Sequence, residues 1–269
     1  MIKKTAFLST LLILLVAVSC NDDDVQVAET TSMEINFKAQ YDGETLMTEK
    51  GYDYNGLQIK FSKFDFYVAD AVLLQQGASG TEETEIRDIS FVDLSFNLNN
   101  PDKAEEGVSI VSNNIEVGQY DGIRFGIGVP ADLNRTDPNE YASEHPLALT
   151  NHYWAGWNSY IFIKLEGALD MDGNGTYEQS FVYHTGTDDV YFDKQFMDTY
   201  DLTSTVSNVV NVAIDVKELL RSDTTSDACD ADQDGYLDLD VCFATHTAEN
   251  FQIAIEIMNN FEEAISIQR

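Results

Sequence analysis

Apolar and polar residues alternate with a period of two along most of this 269-residue chain. In the first such segment Met33, Ile35, Phe37 and Ala39 fall on one face, which is the pattern of a half-buried β-strand. Many short strands separated by Asn-Gly and Asp-Gly turns predict an antiparallel β-sandwich. The other segments with strand patterns are 57–61, 64–74 (interrupted at Asp70), 86–96, 107–112, 121–129, 160–167, 178–186 and 206–216.

The C-terminal segment has a different period. Apolar residues recur there at spacings of three and four, which is typical of an amphipathic α-helix. Thr247 stands at the start and is a suitable N-cap. We therefore expect a mainly β fold with a C-terminal α-helix packed on the sandwich. The residues of the apolar face are Phe251, Ala254, Ile255, Met258, Phe261 and Ile265.

The first twenty residues have the form of a lipoprotein signal. Lys3 and Lys4 precede an apolar run over residues 6–18, which is shorter than the roughly 20 residues that a transmembrane helix needs. The run ends in Ala-Val-Ser-Cys, which resembles a lipobox and predicts lipid on Cys20. The expected organisation is a signal peptide over 1–19, an acidic tether over 20–31 and one domain over 32–269.

An acidic stretch, Asn-Asp-Asp-Asp, follows Cys20 at residues 21–24. It resembles the surface-export tag of Bacteroidetes lipoproteins. We therefore expect an outer-membrane lipoprotein exposed on the cell surface, with the periplasmic face as the alternative.

The charge balance is strongly acidic. The chain has 15 basic and 47 acidic residues, a net charge of −32. Removing residues 1–19 takes away two lysines and no acids, which leaves 13 basic residues and a net charge of −34. Such a chain lacks the Lys and Arg that neutralise phosphates, so the balance excludes nucleic-acid binding. It favours cation binding.

Two cysteines remain once Cys20 carries lipid. Cys229 and Cys242 form an even pair in an oxidising compartment, so a disulfide is predicted. Closing a loop of about 15 residues stabilises a fold by roughly 3 kcal/mol in the chain-entropy model.

Two segments begin like calcium-binding loops. Each places oxygen-bearing side chains at positions one, three, five and nine and glycine at position six. Neither has the usual Glu at position twelve, where Phe181 and Val241 stand, so EF-hand domains are not expected. The loop over 230–238 is predicted to hold structural calcium, since its carboxylates would otherwise repel one another. The loop over 170–178 fits either a second calcium site or an Asp-Gly hairpin turn. The candidate ligands are Asp230, Asp232, Asp234, Tyr236 and Asp238 in the second loop, and Asp170, Asp172, Asn174 and Thr176, followed by Glu178, in the first.

Three stretches carry a family resemblance. They are LNRTDPNEYASEHPLALTNHYWAGWNSYIFIKLEG (133–167), FVYHTG (181–186) and THTAENFQIAIEIMNNF (245–261). Their order resembles the MbnP-like family of secreted copper-binding proteins, which accompany methanobactin systems and di-haem peroxidases. The opening strands fit the family as well, so the resemblance covers nearly the whole mature chain. It implies a β-sandwich.

The resemblance also implies a copper site. In characterised relatives the ion lies between two histidines and a kynurenine, an oxidised Trp two residues before the first His. The best alignment puts His184 and His246 at the two histidines and Val182 at the Trp position. A kynurenine would then have to come from Trp154 or Trp157, with His152 nearby. The alternatives are hydrogen-bonded structural histidines and core or rim tryptophans. His145 is interpreted as a loop residue ordered by Pro146.

Two functions are compatible with these observations. The first is a non-catalytic, lipid-anchored copper-binding protein that works with a di-haem cytochrome c peroxidase-type protein and an outer-membrane importer. The second is a calcium-stiffened sandwich that binds a glycan or a partner protein through an exposed aromatic platform. No Ser-His-Asp arrangement, phosphate loop or catalytic zinc signature is recognisable, so an enzyme is not expected.

Overall fold

The computed structural model describes residues 28–96, 98–222, 229–245 and 251–268. The helices are α1 (Pro101–Glu106), α2 (Ala131–Asn134) and α3 (Phe251–Ala264). The strands are β1 (Thr30–Tyr41), β2 (Glu44–Thr45), β3 (Tyr52–Tyr54), β4 (Leu57–Gly77), β5 (Gly80–Asp93), β6 (Val108–Glu116), β7 (Gly118–Ile127), β8 (Tyr153–Trp154), β9 (Ser159–Asp170), β10 (Gln179–Gly186), β11 (Phe192–Leu202), β12 (Asn208–Asp215) and β13 (Ile265–Gln268). Cys20 and the predicted signal peptide lie outside the described residues.

The long strand β4 organises the larger sheet. The sheet runs in the order β10-β9-β4-β7-β11, and β3 and β5 also pair with β4. All these pairs are antiparallel. The segments predicted as separate strands at 57–61 and 64–74 are joined in this one strand. Asp70 has a positive φ of 49°, and the register shifts beside it, between Ala69 and Val72. This β-bulge is the physical reason for the break in the apolar face.

The smaller sheet is built on β1. Its order is β13-β12-β1-β2, and β6 also pairs with β1. The β1–β12 pair is parallel, whereas the other pairs are antiparallel. Strands β1 and β12 are far apart in the sequence, which gives the chain the crossover that parallel neighbours require.

The two sheets pack face to face. Phe37 of β1 lies 5.6 Å from Phe66 of β4 and 5.5 Å from Phe125 of β7, measured between ring centroids. All three rings are fully buried, and each stabilises the fold by about 1.5–3 kcal/mol through burial. The predicted β-sandwich is confirmed.

The C-terminal helix is also confirmed. Phe261 of α3 packs against Phe64, Phe66 and Phe192, with ring centroids 5.4–6.2 Å apart. The helix ends at Ala264, so the prediction that Ile265 belongs to its apolar face is wrong: Ile265 begins β13 and pairs with Ile214. The proposed N-cap, Thr247, lies outside the described residues. In the described part of the chain, no helix is long and apolar enough to cross a bilayer.

Of the predicted Asn-Gly and Asp-Gly turns, two are turns in the structure and one is part of a strand. Asp42-Gly43 and Asn55-Gly56 form hairpin turns in which both residues have positive φ, as such turns require. Asp121-Gly122 lies inside β7 instead. Strand β11 was missed, because the alternation in FDKQFMDTYDL is mixed with charged residues and every second position is only half-buried.

Candidate metal centre

His184 lies near the end of β10, on the face opposite the core. Phe181 and Tyr183 are fully buried in the sandwich, and since side chains alternate along a strand, Val182 and His184 face away from it. The imidazole is half-buried, with 18% of its side chain accessible. His184 is therefore a partly accessible imidazole and a candidate nitrogen ligand.

A carboxylate contacts the His184 ring. Nε2 of His184 lies 2.7 Å from Oε1 of Glu166 on the neighbouring strand β9. This hydrogen bond, with the nearby charge of Lys164, lowers the pKa of Glu166 although burial opposes the shift. Glu166 was not among the residues predicted for the site. Its signal was present, since Lys164 and Glu166 are polar residues two apart in an otherwise apolar strand.

The segment that precedes His246 runs along the edge of β10. The Val182 N–H donates to the Phe243 carbonyl at 2.7 Å, and the Thr245 N–H donates to the Val182 carbonyl at 3.2 Å. The Thr245 hydroxyl accepts from the His184 N–H at 2.8 Å and donates to the His184 carbonyl at 2.7 Å. His246 itself lies outside the described residues, so its pairing with His184 stays a prediction.

The predicted disulfide anchors that segment. Cys229 and Cys242 are bonded, with a sequence separation of 13, which confirms the predicted disulfide. The hydroxyl of the buried Tyr183 donates to the Cys242 carbonyl. The bond therefore joins the acidic loop on one side to the β10 edge on the other.

Trp154 lies beside His184 and packs against Trp157. The Trp154 indole is 6.3 Å from the imidazole and 4.9 Å from the Trp157 indole, measured between ring centroids. Trp154 is half-buried and Trp157 is 38% exposed. Neither indole belongs to the core, so both occupy the rim of the fold.

His152 and His145 have structural contacts. His152 is 3% exposed; its Nε2 lies 3.1 Å from Asp65 Oδ1 and its Nδ1 lies 3.1 Å from Asn151 Oδ1. His145 accepts the Leu147 N–H through Nδ1 at 3.1 Å. Both ring nitrogens of the buried His152 contact protein atoms, and the His145 ring orders its own loop, so the contacts of both residues are structural. His184 remains the ligand candidate that the family alignment indicates.

The loop over 230–238 adopts a compact acidic turn. Asp230 accepts the Asp234 N–H at 3.0 Å, and Asp234 accepts the Tyr236 N–H at 2.9 Å. Carboxylate oxygens of Asp230, Asp232 and Asp234 lie within 4.8 Å of one another, which two ligands of one Ca²⁺ can span, since Ca–O bonds run about 2.3–2.6 Å. Burial and the neighbouring carboxylates raise the pKa of Asp234.

Two other predicted ligands of this loop have protein contacts. Asp238 accepts the Ala231 N–H through Oδ2 at 2.7 Å. The Tyr236 ring packs edge-on against Tyr54, 5.9 Å away. Asp238 therefore closes the loop on itself, and Tyr236 ties it to the sandwich.

The loop over 170–178 repeats this geometry between β9 and β10. Asp170 accepts the N–H groups of Gly173, Asn174 and Gly175 at 2.8–3.1 Å. The carboxylates within 4.8 Å of one another are those of Asp170, Asp172 and Glu178. The other two predicted ligands lie at the tip, where the Asn174 side chain accepts the Thr176 N–H at 2.7 Å. The loop is thus a hairpin turn that also gathers three carboxylates, the candidate oxygen ligands.

Comparison with known proteins gave two matches. The family model described as MbnP matches residues 30–249. Among solved structures, "MbnP from Methylosinus trichosporium" is similar at 14% identity and a TM-score of 0.48, covering 71% of this chain and 78% of that chain. No curated protein sequence matches.

Proposed function

This chain belongs to the MbnP family, and we propose that it is a non-catalytic protein that binds copper at His184 and hands it on. The observation that carries the proposal is the double hydrogen bond between the His184 backbone and Thr245. Thr245 immediately precedes His246, and consecutive Cα atoms are about 3.8 Å apart. The residue that precedes the second histidine of the family alignment is therefore bonded to the backbone of the first.

The donor chemistry fits copper. Imidazole suits copper, and the Irving–Williams order places Cu(II) above its neighbours. His184 supplies one imidazole, and His246 would supply the other. The ion is cargo in this proposal, so these residues bind and release it.

Trp154 supports a third ligand position. The family resemblance implies a kynurenine two residues before the first histidine, where this chain has Val182. The Trp154 indole lies 6.3 Å from the His184 ring, so we propose Trp154 as the residue that the di-haem peroxidase-type partner would oxidise here. Peptide mass spectrometry of the protein from its native host should find the oxidised indole at Trp154. An oxidised Trp157 beside an intact Trp154 would contradict this assignment.

Metal analysis tests the copper proposal. The purified protein should retain copper after dialysis, whereas His184→Ala and His246→Ala should lose it. His145→Ala is the matched control, since it removes an imidazole held by a loop amide, and it should bind copper like the wild type. Unchanged copper in the double variant His184→Ala/His246→Ala would refute the site.

Calcium is proposed as a structural ion in the two acidic loops. The clusters at Asp230 and Asp170 support this role because each gathers three carboxylates within 4.8 Å. Calcium bound there would neutralise the repulsion between the carboxylates. Equilibrium dialysis with ⁴⁵Ca should detect binding that Asp232→Asn and Asp172→Asn each reduce. Full binding in the protein that carries both substitutions would exclude these loops.

Lipid anchoring at Cys20 and display on the outer membrane are proposed from the lipobox and the acidic tag. Cys20→Ser should move the protein from the membrane fraction to the soluble fraction. Protease added to intact cells should digest a surface-exposed protein and spare a periplasmic one. A di-haem peroxidase-type partner and an outer-membrane importer, proposed from the family resemblance, should co-purify with the cross-linked protein.

A glycan-binding module is the second candidate, and the exposure of Trp157 favours it. The indole borders an open cleft of about 370 Å³ that also contains Arg135, Asn158 and Asp189. Glycan-array binding that Trp157→Ala abolishes, in a protein that retains no copper, would select this candidate.

A further inference from the structure

We propose that Glu166 is the positioning residue of the metal site: it holds the His184 imidazole with the proton on Nε2 and directs the metal ion to Nδ1. The inference rests on the proposed function of His184 as a metal ligand. It adds the residue that orients this ligand and the nitrogen that binds.

The strand register brings the two side chains together. In the antiparallel β9–β10 pair, His184 is opposite Lys164 and Val182 is opposite Glu166. Glu166 is thus the diagonal neighbour of His184 on the same face, a relation in which long side chains can touch. The 2.7 Å separation of Nε2 and Oε1 is a short, charge-assisted hydrogen bond.

The hydrogen bond determines the tautomer. A carboxylate at neutral pH only accepts hydrogen bonds, so Nε2 must carry the proton that it donates. In the neutral ring the lone pair is then on Nδ1, which is the form that a metal ion binds. Metal-ligating histidines commonly donate their other N–H to a carboxylate, which fixes the ring orientation and raises its basicity.

The backbone of His184 is held independently of its ring. Thr245 bonds both the N–H and the carbonyl of His184. Glu166 lies on β9, which is flanked by β4 and β10, so its own backbone is constrained on both edges. The ligand is therefore fixed at two points before a metal arrives, as a precise metal site requires.

Nitrogen-15 NMR of the metal-free protein at pH 7.5 tests the tautomer directly. Long-range ¹H–¹⁵N spectra of the wild type should show His184 protonated on Nε2. In Glu166→Gln the amide can accept or donate, so His184 should become a mixture of tautomers. The His152 signals serve as an internal control and should not change, because its carboxylate partner is Asp65. A wild-type His184 protonated on Nδ1 would overturn the inference without any variant.

Metal titrations test the consequence. Zn(II), a diamagnetic probe, should shift the Nδ1 resonance of His184 and leave its Nε2 proton in place. Cu(I) affinity, measured against a chromophoric chelator, should fall about 10–100-fold in Glu166→Gln. Glu85→Gln makes the same charge change at an exposed site on β5 and should leave the affinity unchanged. Metal bound through Nε2, or equal affinities in wild type and Glu166→Gln, would refute the positioning role.

The outcomes separate the two proposals. Copper retained in His184→Ala refutes the proposed function, whatever the tautomer. If His184 carries its proton on Nε2 in the wild type and not in Glu166→Gln, Glu166 orients the ring, even if copper binds elsewhere. A copper site that depends on His184 but not on Glu166 refutes only the inference.

Discussion

Replacing Cys229 and Cys242 with alanine removes the cross-link between the acidic loop and the β10 edge. The two residues are 13 apart in sequence. For a closed loop of about 14 residues the chain-entropy expression gives about 10 cal/mol/K, or about 3 kcal/mol at 25 °C. For a domain of this size each kcal/mol shifts the midpoint of thermal unfolding by about 2–4 °C. We expect the double variant to melt about 6–12 °C below the wild type.

The contacts of the disulfide loop indicate where the loss should appear first. Asp238 donates its N–H to the Cys229 carbonyl at 2.7 Å, and Val182 donates to the Phe243 carbonyl at 2.7 Å. Without the bond, the segment from Cys242 to Thr245 loses its covalent link to Cys229 and keeps its hydrogen bonds to β10. Amide hydrogen exchange should therefore rise at Val182 and Thr245 before it rises in the rest of the sheet.

Circular dichroism with thermal and guanidinium unfolding measures the effect. Reductant supplies the control: it should lower the stability of the wild type to that of Cys229→Ala/Cys242→Ala and leave the variant unchanged. A free energy of unfolding within about 1 kcal/mol of the wild type, which is below the usual range for disulfides, would refute the reasoning. An equal loss of stability in both proteins would show that the reductant does not act through the Cys229–Cys242 bond.

Three further predictions concern stability. Phe261→Ala should cost about 3–5 kcal/mol in chemical denaturation, because the ring is fully buried against three other phenylalanines; a cost below 1 kcal/mol would contradict the packing. Thr187 has a φ of 85°, and its buried hydroxyl has no hydrogen-bond partner among the described residues. Thr187→Gly should therefore stabilise the protein by about 1 kcal/mol, whereas Thr187→Ala should not, since only Gly relieves the backbone strain. The Asn134 side chain and, to a smaller extent, Arg135 lower the pKa of Asp188 in the folded protein. The stabilisation by the Asp188 carboxylate is therefore present above the unfolded pKa near 3.8. It is lost as the pH falls through the lower pKa of the folded protein. The stability difference between wild type and Asp188→Asn should accordingly shrink below about pH 4, and a difference that grows there would reverse the sign of the argument.

Calcium should raise the melting temperature if the acidic loops bind it. At 10 mM Ca²⁺ and a dissociation constant of about 0.1–1 mM, the free energy of unfolding should rise by about 1.4–2.7 kcal/mol. Asp230→Asn should reduce this gain, whereas the same substitution at the exposed Asp88 of β5 should not. An identical gain in both variants would assign the effect to ions bound elsewhere.

Local patterns were sufficient for most of the elements. Period-two alternation located β1, β4, β9, β10 and β12, and the three-four spacing located α3, because each element buries one face that its own residues define. The same rule failed for β11, where charged residues obscure the alternation. It also failed at Ile265, where the apolar periodicity continues but the chain has already become a strand.

The chain by itself determined the fold class, the family motifs, the disulfide and the ligand spacing of the acidic loops. These depend on side-chain periodicity, on the number of cysteines or on residues close in sequence. Only the tertiary structure decided that Glu166 contacts His184 across 18 residues and that Trp154 lies beside the same ring. Strand order and register are set by packing between distant segments, and a shift of one residue would turn each side chain to the other face. The composition of the site around His184 is therefore a property of the assembled sheet.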